Sequence, residues 1–144
     1  MPSPNGQFAD YRDRHRGETI IVCGCGVSLK RFRRPDGFVT IGVNDVGRLF
    51  TPDYLVVINE RRQFTQERYA YVEASQAKAV FTQLDLAHPR AVRFRLGKRG
   101  GTRRADGDTL DYTNNSPYVA INLARYMGAS RIGLIGVEIG RAHV

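Results

Sequence analysis

Short apolar runs alternate with polar, glycine-marked segments along this chain. Thr19–Cys23 (TIIVC) is a continuous apolar run of strand length. Runs of this kind, bounded by turn residues, predict strands buried on both faces. Phe38–Val43, Tyr54–Ile58 and Arg131–Val137 repeat the pattern. Ala79–Thr82 and Val92–Phe94 are shorter candidates. Thr65–Ala74 reads as a weak helix. Ser116–Met127 is the strongest helix: Val119, Leu123 and Tyr126 or Met127 share one face. Ser116 is its expected cap, Pro117 suits the first helical position and Gly128 ends it. Leu29–Phe32 starts a further short helix, and Pro35-Asp36-Gly37 is a turn. Strands alternating with helices predict an α/β fold, a Rossmann-like parallel sheet with flanking helices in a single, incomplete domain. Residues 1–17 are polar and read as a flexible leader. Residues 18–137 form the expected domain. Lys98–Asp108, rich in Gly and Arg, reads as a flexible loop.

Composition narrows the class. The 144 residues fit one domain, and 42% are apolar, enough for a core. No apolar stretch reaches membrane-spanning length, and the start lacks a signal-peptide core, so the expected location is the cytoplasm. Cys23 and Cys25 are too closely spaced for an ordinary disulfide and lack the companions of a zinc site. Cys23 is expected to be buried and Cys25 to lie in a loop. The net charge is +8, from 22 Lys+Arg against 14 Asp+Glu. The cations fall at Arg12–Arg16, Lys30–Arg34 and Arg93–Arg104. No nucleic-acid motif accompanies them, so they read as a solvated face and nucleic acid is not the expected partner. The last group also offers contacts for a phosphorylated substrate.

Ligands of an open parallel sheet bind at the carboxyl ends of its strands. Four polar features fall there. Gly24-Cys25-Gly26-Val27-Ser28 follows the first strand. Its glycines allow a tight turn and close backbone approach, and its amides and the Ser28 hydroxyl can meet phosphate oxygens. It departs from both the dinucleotide and the P-loop patterns, and a plain tight turn is the alternative. Asn44 and Asn59 follow the next two strands, where a carboxamide can read a base or ribose edge or simply form a turn. Ser116 opens the strong helix, whose N-terminus attracts anions. Asp45 and Glu60 are the placeable acid or Mg²⁺-binding candidates.

These segments together resemble a known group. Ile21–Lys30 is similar to the G-x-G-P-S-L opening of sialyltransferase-like bacterial glycosyltransferases, shared with the hydroxymethylpterin pyrophosphokinase-like family. Ile41–Asp45 resembles the second-strand motif and Asp53–Asn59 the third. Asn115–Tyr118 through Ala129–Val137 resembles the S-G-x-x-A…L-G-x-x-x-I-x-L-x-G-x-D element. The blocks span residues 19–137 in the group's order. The resemblance implies a nucleotide or nucleotide-sugar site formed by Gly24, Cys25, Gly26, Ser28, Asn44, Asn59 and Ser116. The nucleotide sugar would be a donor substrate, no cofactor would be tightly bound, and the acceptor would be a glycan or glycolipid. Cys25, Val27 and Pro117 depart from the group's usual Asn, Pro and Gly. They leave the base and the phosphate geometry open.

Glu138 stands where the group often has Asp. From Ile139 the chain reads Ile-Gly-Arg-Ala-His-Val, similar to a translated sequencing adapter. A non-native tail over 138–144 is therefore expected, with native sequence ending near Val137. The group's catalytic histidine would lie beyond it. The catalytic residues are thus expected outside this chain, leaving a glycosyltransferase-like portion that binds nucleotide without turnover. The alternatives are an ATP-dependent pterin pyrophosphokinase-like enzyme and a non-enzymatic, phage- or island-encoded binding module.

Overall fold

In the computed structural model, residues 6–26, 37–103 and 107–137 are described. Ser28, the short helix expected at Leu29–Phe32, most of the turn at 35–37 and the tail 138–144 lie outside them. Six strands form one sheet: β1 (Thr19–Cys23), β2 (Val39–Val43), β3 (Tyr54–Val57), β4 (Ala79–Thr82), β5 (Ala91–Arg93) and β8 (Arg131–Ile135). Their order is β5-β4-β3-β2-β1-β8, and every neighbouring pair is parallel. The expected α/β class with a Rossmann-like sheet is therefore observed. Parallel neighbours require crossover connections. Helix α1 (Gln66–Glu73) lies between β3 and β4 in the chain, and α2 (Ser116–Tyr126) precedes β8. No helix among the described residues is long and apolar enough to cross a membrane.

The buried strand residues divide between two clusters. Ile20, Val22, Ile41, Val43, Tyr54, Val56 and Phe81 pack with Val119, Ala120 and Leu123 of α2 and with Met127 just past its end. Cys23, Leu55, Val57 and Val80 pack with Tyr69 and Val72 of α1 and with Phe64. This is the period-two alternation of a sheet covered on both faces. Cys23 is fully buried, and Cys25 is half-buried in the following turn.

Three expectations are corrected. The leader is not a flexible appendage over its described part. Phe8–Tyr11 forms a 3₁₀ turn, with Phe8 2% and Tyr11 4% exposed. Phe8 stacks on Tyr126 at 4.3 Å between ring centroids, and Tyr11 meets Phe81 edge-on at 5.0 Å. Two aromatics inside an otherwise polar segment are enough to anchor it to the core. The Arg- and Gly-rich loop starts within a strand, β6 (Arg95–Arg99), which pairs in parallel with β7 (Thr109–Tyr112) outside the main sheet. Its turn is held by Asp111, whose carboxylate accepts from the Lys98 and Arg103 amides at 2.7 and 3.1 Å and from the Arg103 side chain at 2.6 and 3.0 Å. A Cβ on Gly97 or Gly101 would strike that carboxylate, so the glycines make room for the anchor. Finally, β8 is not buried like the inner strands. It is the sheet's edge, and Leu134 is 53% exposed.

Candidate functional site

Chain direction changes at β1. The strands β2 to β5 step away on one side and β8 lies on the other. This is a topological switch point, where open α/β sheets form their ligand crevice at the carboxyl edge. Because α2 feeds β8, which runs parallel to β1, the α2 N-terminus lies at this same edge. Gly24–Gly26, Asn44-Asp45, Asn59-Glu60, Gln83 and Asn114–Ser116 therefore share one rim. The fold brings the described sequence candidates together.

The glycine turn is spent largely on packing. The Gly24 amide donates to Ile135 O at 2.8 Å and the Gly26 amide to Gly136 O at 2.7 Å. A Cβ on Gly24 would lie 2.5 Å from Gly136 O. These two amides thus bind the end of β8 and the Gly136 that follows it rather than standing open to phosphate, and the glycine at 24 is explained by close backbone approach. Cys25 turns its thiol toward Val43 O and toward Asp45 Oδ1 at 3.6 Å. Burial, together with the Asp45 charge, pushes this thiol up to about 11, so it stays protonated at neutral pH.

Asp45 is almost fully buried and held by two arginines. Arg68 donates from Nε to Oδ2 at 3.0 Å and from Nη2 to Oδ1 at 2.7 Å; Arg48 Nε donates to Oδ2 at 3.2 Å. Burial pushes the carboxyl up, but the Arg68 hydrogen bonds and charge outweigh it and hold Asp45 below its ordinary value. Both oxygens are occupied, so this residue is built as an arginine anchor rather than a proton donor or a ligand for Mg²⁺. Glu60 is exposed and pairs with Arg62 at 2.9 Å. Among the described residues, no three His, Cys, Asp or Glu side chains converge as metal ligands.

Asn44 and Ser116 are different. Asn44 sits at φ +53°, in the left-handed region that Asn tolerates better than most residues, and its amide donates to Val56 O at 3.1 Å. Its side-chain Oδ1 is buried with no hydrogen-bond partner. Ser116 does not cap α2 as its sequence position suggests. Asn115 is the cap: its side chain accepts from the Tyr118 amide at 3.3 Å. Ser116 thereby becomes the first helical residue, 4% exposed, with an unpartnered buried Oγ. Each such atom costs roughly 1–3 kcal/mol. The described residues carry three of them, Asn44 Oδ1, Gln83 Oε1 and Ser116 Oγ, all at the carboxyl rim.

A pocket of about 300 Å³ opens beside the ends of β3 and β4. Ile58, Asn59, Glu60, Gln63, Gln83, Leu96, Tyr112, Thr113 and Asn114 line it. Arg99 donates to Asn114 Oδ1 at 3.1 Å and Arg93 to Gln83 O at 3.2 Å, so two members of the basic cluster border it. Gln83 and Tyr112 escaped sequence reasoning. Gln83 follows a strand, as Asn44 and Asn59 do, and that position was the available signal. Tyr112 was hidden in a strand that the Arg/Gly pattern concealed. No protein-family model, curated protein or solved structure matches this chain.

Proposed function

We propose that this chain binds a nucleotide at the carboxyl rim, as the donor-binding portion of a nucleotide-sugar-dependent glycosyltransferase. The observation that carries the reading is the pair of unpartnered buried atoms, Asn44 Oδ1 and Ser116 Oγ, at a topological switch point. Buried polar groups are costly unless a partner arrives, and a ligand with donors and acceptors supplies one. The α2 N-terminus adds its positive dipole end, which favours a phosphate beside Ser116; the Tyr118 amide is held by Asn115, and Pro117 has no N–H to give. Asn59 on the pocket wall extends the site toward the ribose or base. Gly24, Cys25 and Gly26 would border the phosphates, with Gly24 and Gly26 acting as spacing rather than as amide donors. The order of these blocks, which resembles that of sialyltransferase-like enzymes, supports a sugar nucleotide over a free nucleotide. A glycan or glycolipid acceptor follows from the same reading.

The pyrophosphokinase-like alternative needs carboxylates for Mg²⁺. Asp45, with two guanidiniums on its oxygens, does not fit that need, which leaves Glu60 of the two carboxylates singled out in the sequence. The geometry therefore favours the transferase reading.

The test is thermal denaturation with CMP, UDP, GDP, ATP and their sugar conjugates at millimolar concentration. One nucleotide class is expected to raise Tm by mass action. Asn44→Ala and Ser116→Ala are each expected to lose that rise while keeping the ligand-free Tm within a few degrees. A rise undiminished in both variants would remove these residues from the site. No rise with any nucleotide would favour a non-enzymatic binding module.

A further inference from the structure

The third unpartnered atom, Gln83 Oε1, lies outside the residues singled out by sequence. Its carboxamide is oriented by the protein: Nε2 donates to Ile58 O at 2.9 Å. That bond fixes which end is oxygen, and Oε1 is left buried without a donor. The residue lines the pocket of about 300 Å³ at the ends of β3 and β4. Asn59, on the adjacent strand end, brings a second carboxamide to the same pocket, and Tyr112 an aromatic ring. Neighbouring strands stand about 4.8 Å apart, so two carboxamides at adjacent strand ends match the edge of a planar heterocycle. An aromatic wall suits stacking against its face. β4 lies three strand steps from β1, about 14 Å, a distance that an extended nucleoside diphosphate bridges from base edge to terminal phosphate.

We propose that this pocket is a nucleobase site, and that Gln83 selects the base by accepting a hydrogen bond from an exocyclic amino group. The inference rests on the nucleotide reading above and sharpens it: amino bases, cytosine or adenine, are preferred over their oxo counterparts. A base presenting a carbonyl at that point faces Oε1 with another acceptor. Sites built around a buried hydrogen-bonding group discriminate strongly because a mismatch leaves that group unpaired.

The experiment is calorimetric titration of the full chain with CMP, UMP, AMP and IMP, on the unmodified protein and on Gln83→Leu and Gln83→Glu. The unmodified protein is expected to bind one amino nucleotide at least about tenfold tighter than its oxo counterpart. Gln83→Leu abolishes that preference, and Gln83→Glu, which sets an acceptor against Ile58 O and loses the bond that orients the side chain, weakens it. Circular dichroism melts of the variants confirm that they remain folded. Nucleotide binding with the same preference in Gln83→Leu overturns the role of Gln83 and leaves the nucleotide reading standing. Tight nucleotide binding without any amino preference does the same. A protein that binds none of the four nucleotides overturns both readings.

Discussion

Two buried aspartates, Asp45 and Asp111, do similar work at different places. Each holds arginine, and each sits below its ordinary carboxyl range. For Asp111 the Arg103 guanidinium is the main cause, working against burial. For Asp45 burial opposes the shift, and Arg68 overcomes it. A carboxyl whose folded pKa is depressed contributes stability that is fully present above its unfolded value, about 3.9. That contribution is lost as pH falls through the folded pKa. Melting temperature should therefore hold nearly level from pH 7 to about 5 with respect to these groups, then fall below about 4. Asp111→Asn should lower Tm at pH 7 and flatten the acid limb. Thermal melts between pH 7 and 2.5 check this; an acid limb equally steep in the variant would contradict it. Gly24→Ala tests the glycine turn at the same scale. Its Cβ meets a backbone carbonyl that cannot turn aside, so a loss of about 1–3 kcal/mol is expected in urea denaturation.

At the scale of elements, α2 separates a structural residue from a functional one at neighbouring positions. Asn115→Ala removes the cap and should cost about 1 kcal/mol. Ser116→Ala removes a buried hydroxyl that has no partner, so it should leave denaturant stability level or raise it by up to about 1–3 kcal/mol while weakening nucleotide binding. Urea titrations of both variants make the comparison. The sequence pointed to Ser116 as the cap because Ser before Pro at a helix start is a familiar signature. Asn115 takes that place because the helix begins one residue earlier, with Pro117 second. The inner strands were legible because a run such as Tyr54–Val57 is apolar throughout and is buried on both faces. β8 reads the same way, yet forms an edge: apolarity does not reveal a strand's neighbours. β6 and β7 were not legible, because they depend on Asp111 being buried by Arg103, a tertiary contact. Asn44 and Asn59 could be placed at one rim from strand ends alone. Which rim atoms lack partners could not be read before side chains were in position.

Over the whole molecule, the N-terminal segment and the sheet form one packing unit. Phe8 bridges Phe81, Phe94 and Tyr126, so it joins the sheet to α2. The His15 ring lies 2.7 Å from both Glu18 and the Tyr54 hydroxyl, and ties the same segment to β3. Phe8→Ala should cost about 3 kcal/mol or more, as large buried aromatics do, and removal of residues 1–17 should abolish cooperative unfolding. The carboxyl rim stands at the opposite end of α2 from a second pocket of about 310 Å³, lined by Asp13, Arg16, Arg125, Gly128 and Ala129. These two ends give the nucleotide reading a spatial test. Amide chemical shifts of the isotopically labelled protein, followed during titration with the nucleotide that most raises Tm, report where the ligand sits. The predicted result is a contiguous set of shifts at 24–26, 44–45, 58–60, 83 and 112–116. Shifts confined to Asp13, Arg16 and Gly128, or no shifts at millimolar ligand, would contradict the carboxyl rim as the nucleotide site.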